Sequence, residues 1–484
     1  MVRAIALIVL LLAPAVTISA PVPAVPPSES WFVVRIAGSP VGFASESFLV
    51  EPERVVYRAH TDLSLTRMGT PLSMFMMAEE ITDAEGRFVS ARMEMDASVT
   101  GMRARAVLEG DSVTYEVDTG GHIQRRRIPW EDDAITQWQS EGMVEAWLSA
   151  DAPEISFKVF SADEGAFKTM RLVRGERATE MRAGAEVSLL AVREYEGESD
   201  VPLSTTWFGE DLQAQRTVVR QMGMEITIER VSEAEMAAIE LEPNFDIIRS
   251  SMIPCAGYPD PPARVETVTV RMELPHPLPA GRDLEGPNQK LVARGEDWFE
   301  VMLTRETVLR LRAGDEERAA YLKPDPYIQS AHPAVRAIAD SLRAETGAKG
   351  WELARVIAAW VGDTIHEKGF GQGFASALEA LNTRSGDCTE HSILLTAVLR
   401  AAGLPARPAV GLAYADGSLV GHMWTEVYDG YWRTLDALDL DGDPIRVRVT
   451  AAGNERAVDP RDLLEAYATV GGAVARVTGS TPRR

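Results

Sequence analysis

From Trp31 to about Glu240 the chain is built of short runs in which apolar and polar residues alternate. WFVVRIAG (31–38), RVVYRAHTDLSL (54–65), RARAVLEGDSVTYEVD (103–118), ISFKVF (155–160) and EITIERV (225–231) each fit a strand with one buried face. Turn signals such as Gly38-Ser39-Pro40, Glu85-Gly86 and Glu109-Gly110-Asp111 separate them. One stretch of helical period, roughly Ala134 to Leu148, interrupts the pattern. The expectation is a large, mainly antiparallel β domain over residues 30–240. No His, Cys or carboxylate group in it falls at catalytic or ligand spacing, so its expected role is scaffold or recognition.

Residues 241–320 hold a Pro-rich connector, Pro254 to Pro262, and further strand-like runs (VETVTVRMEL, WFEVMLTRETVLRLR), and read as a bridging β segment. Beyond YLKPDPYI the period becomes helical. One helix is predicted from Pro333, a good first-turn residue, to a stop at Gly347. Another carries Leu353, Val356, Ile357, Trp360, Val361 and Ile365 on one stripe, which is core packing. Ser376 with Glu379 three residues on forms a capping box for a third.

Composition changes the picture little: 45% hydrophobic and 25% charged residues describe a globular chain, and 484 residues exceed one hydrophobic core. The formal charge of −23 argues against nucleic acid or anionic lipid as partners. The first residues matter more. Arg3, an apolar run from Ala4 to Val16 and the small residues Thr17, Ser19 and Ala20 have the anatomy of a secretory signal, residues 1–20, with Ala24 as a rival cleavage position. The run is short for a membrane span, so a secreted or periplasmic protein without stable membrane insertion is expected. In such a compartment the only two cysteines, Cys255 and Cys388, either pair or keep a thiol for use.

The surroundings of Cys388 bear on that choice. Ile393, Leu394, Ala397, Val398 and Ala401 form a helical stripe that Gly403 and Pro405 stop, and Asp387 is placed as its N-cap. Cys388 then sits in the first turn, where the helix dipole favours the thiolate form of a cysteine and free N–H groups can receive an oxyanion. Two strands follow, ARPAVGLAY and LVGHMWTEVY, the second turning at Tyr428-Asp429-Gly430 into YWRTLDA. A two-residue loop would pair His422 with Ala437. A three-residue loop, Tyr428 to Gly430, pairs Val427 with Tyr431 and hence His422 with Asp436. A thiol at a helix start, a histidine on a strand and an aspartate beside it are the parts of an activated cysteine nucleophile.

These residues resemble a known family. RSGDCTEHSILLTAVLRAAGLPARPAVGLAY, GHMWTEVYDGYWRTLD and the lead-in FASALEALNTRSGDC are similar to the transglutaminase-like core of bacterial proteins, over about residues 320–445. The resemblance implies an α+β fold, a papain-like core at 321–450 behind the β domain, with 451–484 as a C-terminal tail. It implies Cys388 as nucleophile, His422 as base and Asp436 as orienting acid, with no cofactor and with both thiols free. The closing Asp of that family is commonly followed by Pro, and here Ala437 and Leu438 follow. The implied activity is acyl transfer on a carboxamide or peptide carbonyl of a protein or peptide substrate. A cysteine protease or amidase would use the same triad, and a non-catalytic envelope-binding module is the reading from another class.

Other candidates carry less. Asp439, Asp441 and Asp443 alternate as in a calcium loop, but Pro444 and Thr450 stand where that loop needs Gly and Glu. Cys388-x-x-His391 is half a zinc site with no second half in the chain. His391 is otherwise a candidate to tune the thiol or line an acyl pocket. Trp424 walls the cleft or belongs to the core, and Gln372 is an oxyanion donor that nothing in the sequence positions.

Overall fold

The computed structural model describes residues 28–483 except 68, 98–99, 120–121, 151, 183–184, 198, 200–201, 222–223, 259–264, 279–282, 367–374, 416, 439–445, 452–465 and 467–468. The expected signal segment, Gln372 and the aspartates at 439, 441 and 443 lie outside the described residues. The chain divides into two compact units, Met1–Arg220 with Glu225–Phe245, and Gln221–Met224 with Asp246–Arg484.

In the first unit the alternating runs become strands. Eight come first: β1 (Ser28–Ile36), β2 (Ser39–Glu51), β3 (Arg54–Arg67), β4 (Thr70–Asp83), β5 (Phe88–Ala97), β6 (Thr100–Glu109), β7 (Ser112–Thr119) and β8 (His122–Pro129). After β9 (Ala134–Ile135) and helix α1 (Gln137–Ser149) come β10 (Glu154–Ser161), β11 (Ala166–Arg182), β12 (Ala185–Glu196), β13 (Ser204–Phe208), β14 (Ala214–Gln221) and β15 (Met224–Val231). All join one 15-stranded sheet running β8 back to β1, then β15 back to β9. Strand β1 therefore pairs antiparallel with both β2 and β15, Trp31 lying opposite Ser45 and Val231.

The period of two decides what is buried. On β3, Val55, Tyr57, Ala59, Leu63 and Leu65 turn inward. Helix α1 supplies the remaining apolar cover. Thr136 caps it with Gln139 reaching back, Trp138 packs with Phe48, Val55, Tyr57 and Ala59, and Trp147 and Leu148 pack with Phe157, Met170, Leu172 and Leu190. The Glu80 carboxylate also accepts from the Gln137 N–H at 2.6 Å. Two short helices, α2 (Glu233–Ala238) and α3 (Ile247–Ser250), follow the sheet.

The second unit holds β16 (Ile253–Ala256), β17 (Val265–Glu273), β18 (Gln289–Arg294) and β19 (Trp298–Thr304), then helices α4 (Asp315–Ala320), α5 (Pro333–Thr346), α6 (Gly350–Thr364), α7 (Ala377–Thr383) and α8 (Cys388–Ala401). Strands β20 (Ala406–Ala415), β21 (Ser418–Tyr428), β22 (Trp432–Leu435), β23 (Arg446–Ala451) and β24 (Val474–Pro482) complete it. The strand order is β18-β19-β17-β24-β16-β21-β20-β23, with β22 on β21. This corrects the expected division. The bridging segment at 241–320 and the tail at 451–484 are not separate pieces, because β24 lies between β17 and β16 and β16 pairs with β21. The physical reason is apolar: Val268, Val270, Met272, Val301, Leu303 and Ala475 are all buried in the same core as the helices.

Helix α8 lies at the centre of that core. From Thr389 to Arg400 every residue is buried, with α5, α6 and α7 against it and β20 and β21 beneath it. Its polar residues are used for docking on β21: Ser392 Oγ donates to the Trp424 carbonyl at 2.7 Å, and Thr396 meets the Thr425 hydroxyl at 3.2 Å.

Candidate active site

The N-terminus of α8 is built by two carboxylates. Asp387, the N-cap, accepts from the Thr389 N–H at 2.8 Å. Glu390 reaches back to the Asp387 N–H at 2.9 Å and to the Ala375 N–H at 2.9 Å, so it ties the helix start to the residues leading into α7. Glu390 is fully buried, and burial, with the Asp387 charge beside it, pushes its carboxyl up to about 8. Gly386 precedes them with φ +154°, and a Cβ there would fall on the Glu390 side chain. This junction puts Cys388 in the first turn, partly exposed while Thr389 to Arg400 behind it are buried.

His422 lies on β21, directly opposite Gly411 of β20. Its Nε2 meets Asp436 Oδ2 at 2.7 Å, and Cys388 acts on the ring from the start of α8. The three residues singled out from the sequence thus stand together, in the order thiol, imidazole, carboxylate. Burial opposes the charged ring, but the Asp436 charge and bond, followed by those of Cys388, outweigh it and push His422 up to about 10. Asp436 is held well below the usual carboxylate range. Burial works against that too, and His422, Arg446 and the Leu438 N–H overcome it.

The hairpin register differs from the expected one. Val427 pairs with Arg433, not Tyr431, and Tyr428 pairs with Trp432. The loop is still three residues with Gly430 left-handed, but it is Asp429 to Tyr431. Side-chain packing explains the choice. This register sets Tyr428 and Trp432 edge to face at 5.5 Å, with Tyr321 on the far side of Trp432 at 5.3 Å and the Arg407 guanidinium 4.1 Å above it. Continuing the ladder one residue sets Asp436 level with Trp424 instead of His422. Because the slip is two residues, the face is preserved, and Asp436 reaches His422 along the diagonal.

Trp424 belongs to the core: it is 2% exposed, with its ring stacked on His422 at 5.9 Å. The far edge of that ring lies over Gly411, where a Cβ would be 3.0 Å away and would also collide with the Val447 carbonyl. His391 is buried in α8, with Nδ1 2.6 Å from the Asp387 carbonyl. Cys255 is buried and unbridged, and burial pushes its thiol up to about 11, so it stays protonated.

Two elements of the site had no signal in the sequence. Arg446, at the start of β23, brings Nε and Nη2 to 3.1 and 3.0 Å from Asp436 Oδ2. Glu426, on the same face of β21 as His422, is fully buried between Arg407 at 2.9 Å and Arg448 at 2.8 Å. Neither belongs to a local motif; ladder pairing brings them in.

Residues 336–437 match the family described as the transglutaminase-like superfamily. No curated protein sequence matches the chain. Among solved structures, the chain is similar to a β-barrel-like protein of unknown function from Brucella abortus, at 10% identity over 43% of this chain and 96% of that one, with a TM-score of 0.33. It is also similar to the periplasmic domain of TgpA from Pseudomonas aeruginosa, at 17% identity over 39% and 87%, with a TM-score of 0.28. A proposed cysteine protease from Cytophaga hutchinsonii matches at 19% identity over 46% and 86%, with a TM-score of 0.27. Among the described residues no helix is long and apolar enough to cross a membrane.

Proposed function

We propose that this chain, which carries a core of the transglutaminase-like superfamily over residues 336–437, is an exported enzyme that transfers acyl groups through Cys388. The observation that carries this reading is the His422–Asp436 pair, with Asp436 Oδ2 2.7 Å from His422 Nε2, together with Cys388 acting on the same ring from the first turn of α8. His422 takes the thiol proton of Cys388 as the sulfur attacks a carboxamide or peptide carbonyl carbon. The oxyanion formed is received at the helix start, where the Cys388 N–H is among the groups a helix leaves unpaired. His422 then passes its proton to the leaving amine as the C–N bond breaks, leaving a thioester on Cys388. An amine or water attacks the thioester, gives its proton back to His422, and the thiolate leaves. Every proton and electron pair is accounted for by these groups and the two substrates.

Iodoacetamide labelling followed by peptide mass spectrometry tests the nucleophile. Cys388 should label far faster than Cys255 at pH 7, and His422→Ala should remove the advantage. Equal, slow labelling of both thiols would overturn the catalytic reading and favour a binding module. Incorporation of dansylcadaverine into a glutamine-bearing protein, against cleavage of the same protein, decides between transglutaminase and peptidase or amidase.

A further inference from the structure

The Asp436 carboxylate carries more than an orienting acid requires. His422 Nε2 meets Oδ2 at 2.7 Å, and Arg446 Nη2 and Nε meet the same oxygen at 3.0 and 3.1 Å. The other oxygen, Oδ1, accepts from the Leu438 N–H at 2.9 Å. Arg446 itself is fixed, since its side chain is 10% exposed and its backbone pairs with Ala413 of β20. A fixed cation therefore stands on the atom that stabilises the imidazolium.

Two consequences follow from elementary electrostatics. A guanidinium that shares Oδ2 holds the carboxylate ionised and in place. It also discounts the negative charge that His422 feels, so the imidazolium is a stronger acid than Asp436 alone would leave it. That matters because an imidazolium far more basic than its surroundings is a poor general acid. Among the described residues, the titratable and charged groups on the elements around the ring are Asp436 after β22, Cys388 with Asp387 and Glu390 at the start of α8, Glu426 on β21, and Arg446 and Arg448 on β23. Its neighbours on β20 and β21, Gly411 and Trp424, carry no charge.

We propose that Arg446 is a positioning residue that fixes Asp436 and, by sharing its Oδ2, keeps the His422 imidazolium acidic enough to protonate the leaving amine. The proposal rests on the acyl-transfer reading above. Its first test is independent of catalysis. In the full chain with Cys388→Ser, which removes the thiolate, the His422 titration is followed by NMR of 15N-histidine-labelled protein and assigned with His422→Ala. Adding Arg446→Gln should raise the midpoint by about one pH unit, a tenfold gain in proton affinity, while Arg446→Lys should stay near the parent value. A midpoint that is unchanged or lower in the Gln variant would overturn the proposal. If the Gln variant loses its circular dichroism, the Lys variant decides, and a midpoint displaced downward refutes the assignment.

The second readout uses Cys388 intact. Arg446→Gln should lower kcat for amine incorporation into a glutamine-bearing protein about tenfold, with KM unchanged. Turnover of p-nitrophenyl acetate, whose leaving group needs no proton, should change little. Equal loss on both substrates would mean that Arg446 is only structural. Absence of acyl transfer by the wild-type chain would sink the function proposed above, while the NMR midpoint would still decide the role of Arg446.

Discussion

Replacing Glu426 by Gln removes the one negative charge from a buried triad and leaves Arg407 and Arg448 facing each other. Glu426 has no exposed surface, and the residues Arg407 and Arg448 are 8% and 6% exposed. At an effective dielectric of about 20, each contact at hydrogen-bonding distance is worth about 4 kcal/mol of attraction against the desolvation of both charges. Removing one member of such a group costs about 3–5 kcal/mol, because the remaining charge is buried and uncompensated. The Gln oxygen still accepts from one arginine, but its amide donors then point at the other. Both arginines have further partners: Arg448 donates to the Glu285 carbonyl at 2.8 Å, and Arg407 lies over Trp432 with the half-exposed Glu317 carboxylate at 3.5 Å. Neither can swing out to water without giving these up. The second unit should therefore lose about 3–5 kcal/mol, or about 6–20 °C in Tm for a unit of this size. Burial acts against the carboxylate, but Arg448 and Arg407 hold Glu426 below its ordinary range. Its stabilisation is thus present above about pH 4.5 and lost as pH falls through the lower, folded value. Calorimetry of wild type and Glu426→Gln at pH 7 measures the difference. Replacing all three residues by apolar ones of similar volume should recover most of it. A Tm within about 2 °C of wild type for the single variant, a difference of roughly 1 kcal/mol or less, would refute the reasoning.

Asp436→Asn should reduce acyl transfer about 10²–10⁴-fold and lower the His422 titration from its value near 10, because the ring keeps a hydrogen bond but loses the charge that holds its proton; a pH–rate profile checks both. Gly386→Ala should destabilise the α8 junction by about 1–3 kcal/mol and slow Cys388 alkylation, since the new Cβ meets Glu390 at a backbone angle suited to glycine. Burial raises Glu80 to about 7, above its unfolded value of about 4.5, so the folded first unit holds an extra proton between those values. Its stability should fall by roughly 2–3 kcal/mol as pH rises from 5 to 8, a slope that urea midpoints should find flattened in Glu80→Gln.

The β character of the first half and the helices of the second were legible because their information is local. Alternation marks β3, Pro333 with the Gly347 stop marks α5, the Ser376–Glu379 capping box marks α7, and Asp387 with the stop at Gly403 and Pro405 marks α8. Cys388 at a helix start was legible for the same reason. What escaped depends on pairing across the sheet. The hairpin of β21 and β22 offers several loops of plausible chemistry, and the choice among them is made by Tyr321 and Arg407 packing on Trp432, distant residues that no turn rule contains. Arg446 and the Glu426 triad escaped likewise, because a charged residue on a strand looks solvated until its neighbours are known. Strand β24 has no turn or motif to announce that it sits between β16 and β17.

The double pairing of β1 bears on how the chain is made. One partner of Trp31, Ser45, is only 45 − 31 = 14 residues away in the chain, but its other partner, Val231, is 231 − 31 = 200 residues away. At a translation rate of about 5–20 residues per second, one edge of β1 is open for roughly 10–40 s. An open edge is a template for the same strand of another nascent chain. Closure of the sheet is thus a late, non-local event, slow in the way that distant strand pairings are. A β15 deleted or delayed in synthesis should convert the first unit into an exchanging dimer, and synthesis of the unit to its end before folding is the condition under which it closes on itself.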